Sequence, residues 1–291
     1  MQRDVDVEAA MANPAHAAAV VHAAATPEPE SPRGPTTARF ALSSMILPPL
    51  TEALAVGERV RMALLRISDG HAVFLGRDAA GQVVRSGRHD HARFLPADDD
   101  ADGSIDHVVV HARGGFDGAA QRALEQLRRV WGHGGSDLKL TLEALGALGM
   151  LGCLRRDAGR HGRDAERQGR SPQLGTARIW ESLTPFVPPR HIKYRARGVR
   201  DAPHDQLARL LALHGFPPAQ LEAVAAAELT PPRPASPIGW HDFRRLRTAG
   251  GGCRGVNAAY GFRLCFERPV TGPIALGYGA HHGLGQFIAI E

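Results

Sequence analysis

The order of apolar and polar segments predicts an α+β protein built from two sheet-and-helix units. Three observations predict it. Strand–helix–strand groups occur twice along the 291 residues. A polar, charged, glycine-containing stretch, residues 155–170, stands between them. Hydrophobic residues make up 43% of the chain, enough for packed cores, yet no apolar run approaches the length that spans a bilayer. The two groups share no sequence repeat. The expected organisation is a poorly ordered tail over 1–38, a first unit over 39–154, an exposed charged loop over 155–175 and a second unit over 176–291.

The elements follow in order. Ala9 to Ala25 is alanine-rich with some helical potential, and the proline-rich stretch Thr26 to Pro35 breaks regular structure. Pro48-Pro49 precede Thr51, a plausible helix cap, and Leu54, Val56, Val60, Leu64 and Leu65 give a helical stripe. Ala72–Leu75 and His91–Leu95 read as short strands, the second ended by Pro96. Ile105–His111, with its valine triplet, is the clearest strand of this half. Asp117 caps a helix running to Val130, and Leu138–Leu142 reads as a strand. In the second half, Trp180–Val187 leads into a basic strand, Arg190–Arg197. Helices are expected at Gln206–Leu213 and Pro218–Ala227, and strands at Trp240–Arg247, Gly261–Phe266, Ile274–Leu276 and Gln286–Ile290.

Composition narrows the function. The net charge is +5 and the pI about 9.6, and nearly all the positive charge is arginine, whose planar fork suits phosphate and stacks on bases. Cys153, Cys253 and Cys265 form no C-x-x-C pair, which argues for buried free thiols over a disulfide framework or a cysteine zinc site. The N-terminus carries early acids and no cleavable apolar block, so a cytoplasmic location is expected. G-x-S-x-G, Walker and H-E-x-x-H patterns are missing from the sequence.

Four motifs carry candidate chemistry. Gly277, Gly279, Gly283 and Gly285 lie between two strand-like stretches, where glycine permits φ > 0 and exposed N–H groups can cradle phosphate. A plain hairpin is the competing reading. His89 and His91, and His107 and His111, share strand faces two by two. Converging imidazoles serve as general base and acid near neutral pH, or hold zinc. Asp98, Asp100, Asp102 and Gly103 match the start of a calcium loop. The twelfth position is Val109, though, where a glutamate is required, so a solvated turn is expected. Arg190, Lys193, Arg195, Arg197 and Arg200, with His191 among them and no acid, form a phosphate-tracking surface. Arg244, Arg245, Arg247 and Arg254 add a second basic group.

Taken together, the segments His89-Asp-His91-Ala-Arg-Phe-Leu-Pro96, Ile105-Asp-His107, Trp180-Glu-Ser-Leu-Thr-Pro-Phe-Val187, Arg190-His-Ile-Lys193, Gly272 to Gly279 and His282 to Phe287 resemble the processing half of the type I-G (formerly I-U) CRISPR fusion protein, of the RAMP superfamily. The resemblance covers roughly residues 39–290. It implies two ferredoxin-like (RAMP/RRM-like) units in tandem with a C-terminal glycine-rich loop. It further implies processing of CRISPR repeat RNA, retention in an interference complex with other type I-G subunits, and no membrane association. The related enzymes need neither metal nor cofactor: the 2′-hydroxyl attacks the adjacent phosphate, leaving a 2′,3′-cyclic phosphate. In the fusion proteins a further half caps the crRNA 5′ end, whereas only a short tail is expected ahead of residue 39.

On this reading His91 or His89 is the base with His107 as partner, and Lys193 or Arg190 stabilises charge. His191 is the main rival base and His282 a weaker one. Arg190, Arg195, Arg197, Arg200, Arg244, Arg245, Arg247, Gly277, Gly279, His282, Gly283 and Gly285 are the expected RNA contacts. The alternatives are a non-catalytic crRNA-binding subunit and a metal enzyme using His89, His91, His107 and His111.

Overall fold

The computed structural model describes residues 34–76, 91–131, 137–151, 171–195, 198–225, 238–247 and 258–290, with side chains of 193–195 and 198–200 left aside. The first half runs β1 (Thr37–Ser43), α1 (Ala53–Ile67), α2 (Ala72–Leu75), β2 (Arg93–Ala97), β3 (His107–His111), α3 (Gly118–Gln126), β4 (Arg129–Val130) and β5 (Leu138–Gly146). Its strands pair antiparallel in the order β2-β3-β1-β5-β4. With α2 and β4 set aside, this is the β-α-β-β-α-β ferredoxin-like arrangement.

After α4 (Leu148–Leu151) the pattern returns. It runs β6 (Thr176–Ser182), the hairpin β7 (Lys193–Arg195) and β8 (Gly198–Arg200), α5 (Pro203–Leu213), β9 (Ala219–Val224), β10 (Gly261–Thr271), β11 (Ile274–Ala275) and β12 (Gln286–Ala289). The second sheet has the order β11-β12-β6-β10-β9. Strands β6, β9, β10 and β12 thus take the places of β1, β2, β3 and β5. Where the first unit has α3, the second has the glycine-rich segment. The protein is α+β, with two ferredoxin-like units in tandem, and both lie in the compact body Pro32–Glu291.

Packing explains the pattern. In β3, Val108 and Val110 join Phe40, Phe94, Val56 and Leu124 in a core between sheet and helices. Val109 points the other way and meets Leu95, Leu174, Ala275 and Ala280, which join the two units. Because β3 is covered on both faces, it reads as an unbroken apolar run. The second core gathers Trp180, Phe186, Leu207, Phe262, Leu264 and Phe287. Each such side chain contributes about 1.5–3 kcal/mol when buried.

Local chemistry sets the helix ends. Asp117 accepts a hydrogen bond from the Ala120 N–H at 2.9 Å and caps α3. Pro203 opens α5, where its missing N–H costs nothing. Gly215, at φ 77°, ends it. Helix α1 buries the expected stripe of Leu54, Val56, Val60 and Leu64, but its cap position is Glu52, not Thr51.

Several expected elements differ. Ala72–Leu75 is a helical turn, not a strand: the His71 ring accepts from the Val73 N–H and Gly76 ends the turn in the left-handed region. Four residues are too few to show a period. Strand β2 continues through Pro96, which an edge strand tolerates, and α3 stops at Gln126, so Val130 is strand. Residues 219–224 form β9 despite helix-favouring Ala, Gln, Leu and Glu, because pairing with β10 outweighs propensity. Trp240–Asp242 is a 3-10 turn, with Trp240 donating to the Val224 carbonyl at 3.1 Å. Cys265 is half-buried and free; Cys153, Cys253, Arg254, the loop 155–170 and the tail 1–33 lie outside the described residues. Among the described residues, no helix is long and apolar enough to cross a membrane.

Candidate active site and nucleic-acid interface

Gly277, Gly279, Gly283 and Gly285 all have positive φ (100°, 73°, 100° and 61°), as their placement between strands requires. The segment is a strap pressed onto the first unit. A Cβ on Gly283 would stand 2.8 Å from Pro96 Cδ and 3.1 Å from the Ala53 carbonyl oxygen. On the facing helix, a Cβ at Gly57 would stand 2.8 Å from the His282 carbonyl carbon. The N–H groups of Tyr278, Ala280, His282, Leu284 and Gly285 are already donated to Val187, Gly277, Gly279, Gly279 and Pro185 carbonyls, which leaves fewer donors for a phosphate than the expected cradle. The glycines serve turns and close packing.

His282 is likewise corrected. It is buried, lies over Phe94 with ring centroids 6.2 Å apart, and its pKa is pushed down to about 3, first by burial and then by Arg247 and Arg61. A neutral ring enclosed in this way packs and does not reach substrate.

Its neighbour is different, and the sequence reading missed it. The His281 ring stacks on His91, with centroids 4.2 Å apart and planes 17° from parallel. Both residues are half-buried. The 3-10 turn Ala280–His282 turns one histidine inward and leaves the other at the surface, which strand alternation does not foresee. His281 Nδ1 lies 3.4 Å from the Ala92 carbonyl. A carbonyl only accepts, so this contact is made by the tautomer that carries its proton on Nδ1.

Arg61 and Arg247 act through their charge on the neighbouring His282. Arg61, half-buried on α1, donates to the Phe74 and Leu75 carbonyls at 3.2 and 3.1 Å. Arg247 donates to the buried Glu58 at 2.7 Å. Burial lowers the pKa of both Arg61 and Arg59. Arg244 reaches Glu52 at 3.3 Å, and Arg245 lies 3.1 Å from His241 Nδ1. Of the second basic group, Arg247 is anchored on α1 and Arg244 at its N-terminal cap.

The pairing of His91 with His107 does not survive. In the β2–β3 register Arg93 faces His111 and Ala97 faces His107. His91 precedes that register by two residues, so the two rings sit about 20 Å apart at ~3.3 Å per residue. His107 belongs to an ion network: Nδ1 lies 2.9 Å from Asp106, Nε2 3.5 Å from Glu143, and Arg39 bridges Asp99 and Glu143. His111 is buried against Thr37 Oγ1 at 2.9 Å. Burial, with Arg93 and Arg113 nearby, holds its pKa at about 3. The four-histidine metal reading fails with this geometry. Among the described residues, the group with metal-ligand spacing is Asp98, Asp100 and Asp102. That turn is not simply solvated: Asp98 is buried and accepts from the Asp102 and Gly103 N–H groups at 3.1 and 2.8 Å. Burial pushes its pKa up to about 7.

The first basic stretch is a short hairpin, not one strand. Lys193 faces Arg200 and Arg195 faces Gly198. Gln206 of α5 ties down its approach, accepting from the Arg190 N–H and donating to the Arg190 carbonyl, both at 3.0 Å. Arg190 and His191 are exposed. His89 and Arg197 lie outside the described residues.

No family model and no curated protein matches the chain. Among solved structures it is similar to "An RAMP protein binding different RNA substrates", with a TM-score of 0.42 and 13% identity over 88% of this chain and 100% of that one. It is also similar to "CRISPR associated protein Cas6", with a TM-score of 0.41 and 8% identity over 89% of this chain and 99% of that one. The ferredoxin-like assignment rests on the strand order of the two sheets.

Proposed function

We propose that the protein is a CRISPR repeat-RNA processing endoribonuclease that works without metal and stays with its product in a type I-G interference complex in the cytoplasm. The observation that carries the reading is the stacked, half-buried His91–His281 pair, with Arg61 and Arg247 around the adjoining His282. The motifs shared with the type I-G processing half supply the substrate class.

The His281 ring takes the proton of the 2′-hydroxyl as its oxygen attacks the adjacent phosphorus. His91 gives a proton to the departing 5′-oxygen. The P–O5′ bond breaks, and the products are a 2′,3′-cyclic phosphate and a 5′-hydroxyl. Arg61 and Arg247 offset the charge that builds on the phosphoryl oxygens. Arg190, His191, Lys193, Arg195, Arg200, Arg244 and Arg245 track the RNA backbone on either side.

Repeat RNA incubated with the protein in EDTA tests this directly. Cleavage to a cyclic phosphate is expected, and H91A and H281A should each slow it by about a hundred-fold or more with RNA affinity unchanged. RNA that is shifted on a gel but intact would make the protein a binding subunit. Cleavage that EDTA abolishes and manganese restores would make it a metal enzyme.

A further inference from the structure

Of the three tryptophans, Trp180 and Trp240 are buried, while Trp131 is 65% exposed. Trp131 directly follows β4, the edge strand of the first sheet. Its setting is specific. Val130, Leu138 and Leu140 enter the core beneath the helices, so by alternation Arg129 and Lys139 lie on the opposite face. They are cross-strand partners, and Lys139 is in turn paired with Ser43. Trp131 shares their face: the Arg129 guanidinium carbon stands 5.3 Å from its ring centroid. Arg128, Arg129 and Lys139 are all exposed, against one acid in the row, Asp137, 3.5 Å from Arg129. Met45 and Ile46, 102% and 78% exposed, follow β1 at the same end of the sheet.

We infer that this face is a stacking platform for single-stranded RNA, separate from the histidine pair. Arg129 covers one side of the indole, whose 65% exposure leaves surface for a base. An indole face between guanidinium and base is a sequence-tolerant contact, and Lys139, on the same face, stands where an adjoining phosphate passes. Met45 and Ile46 offer apolar contact to the next base. A purely apolar partner would leave the excess of cations over acid unmatched, whereas a polyanion matches it. The inference rests on the reading that this protein binds RNA, and it adds a second contact that lies on the sheet and not at the strap.

Fluorescence titration tests it, because the exposed Trp131 reports separately from two buried indoles. An oligouridine of about ten nucleotides should quench the emission saturably, W131A should remove the quench and weaken binding about ten-fold, and W131F should keep most of the affinity. Because Trp131 is exposed, W131A should fold normally, as circular dichroism will show. Binding by anisotropy with no quench, and equal affinity in W131A, would overturn the platform while leaving RNA binding intact. No binding of any RNA by the wild type would overturn RNA binding and the platform together. Emission that shifts to the blue with protein concentration alone would assign the patch to a second copy of this chain, and would also overturn it.

Discussion

The first unit closes its sheet with α3, which caps itself through Asp117 and sends Ala120, Ala123 and Leu124 into its own core. The second unit puts a glycine strap in the same topological place, and the strap packs against α1 and β2 of its neighbour. One solution is local and the other is borrowed. A helix brings its own hydrogen bonds and needs only an apolar stripe. A strap must be shaped by left-handed glycines and finds its packing partner elsewhere in the chain. The strap of the second unit therefore takes its packing from the first, and its half-buried His281 is set by that contact.

Substitutions in both units sharpen the contrast. The largest effect belongs to G285V. The new Cβ would fall on the Leu276 carbonyl oxygen from a residue at φ 61°, and the loss should be about 4 kcal/mol or more in chemical denaturation. Valine at Gly279 or Gly283 should likewise destabilise the fold before it affects RNA.

Acid comes next. His282 in the strap and His111 in the first unit are both held near pKa 3, below the ordinary 6.5 of histidine. The unfolded chain binds protons that the folded one refuses, so their contribution is complete above pH 6.5 and is lost as pH falls towards 3. Each contributes a slope of about 1.4 kcal/mol per pH unit in that window. H282L should remove one such slope and leave the other, read from denaturation midpoints at a series of pH values. An unchanged slope would mean that the strap opens before it titrates. The smallest effect is D117A, which removes the α3 cap and should cost about 1 kcal/mol while leaving the strap as it is.

How much of this was legible in the sequence follows the same division. Locally determined features were readable: the α1 stripe, the valine strand, the Asp117 cap and the need for φ > 0 at the four glycines. Features settled by distant contacts were not. Residues 219–224 have a helical composition and become a strand because β10 is beside them. His281 and His282 are identical neighbours in sequence, and only the 3-10 turn makes one a stacked surface ring and the other a buried one. The expected pairing of His91 with His107 assumed that strand faces bring histidines together, whereas the register sets them at opposite ends of a hairpin. Trp131 attracted no notice because a single aromatic carries no period. Its meaning comes from the exposed face on which it sits.

Strand β2 forms one edge of the first sheet. Pro96 withholds an N–H there, and its carbonyl accepts from Gln173 Nε2 at 3.0 Å and from Gln286 Nε2 at 3.1 Å. Both donors come from the second half of the chain. An edge whose donor is missing and whose acceptor is doubly occupied offers little for a foreign strand to pair with. The bonds that seat one unit on the other thus also guard this edge against pairing with the strands of other molecules.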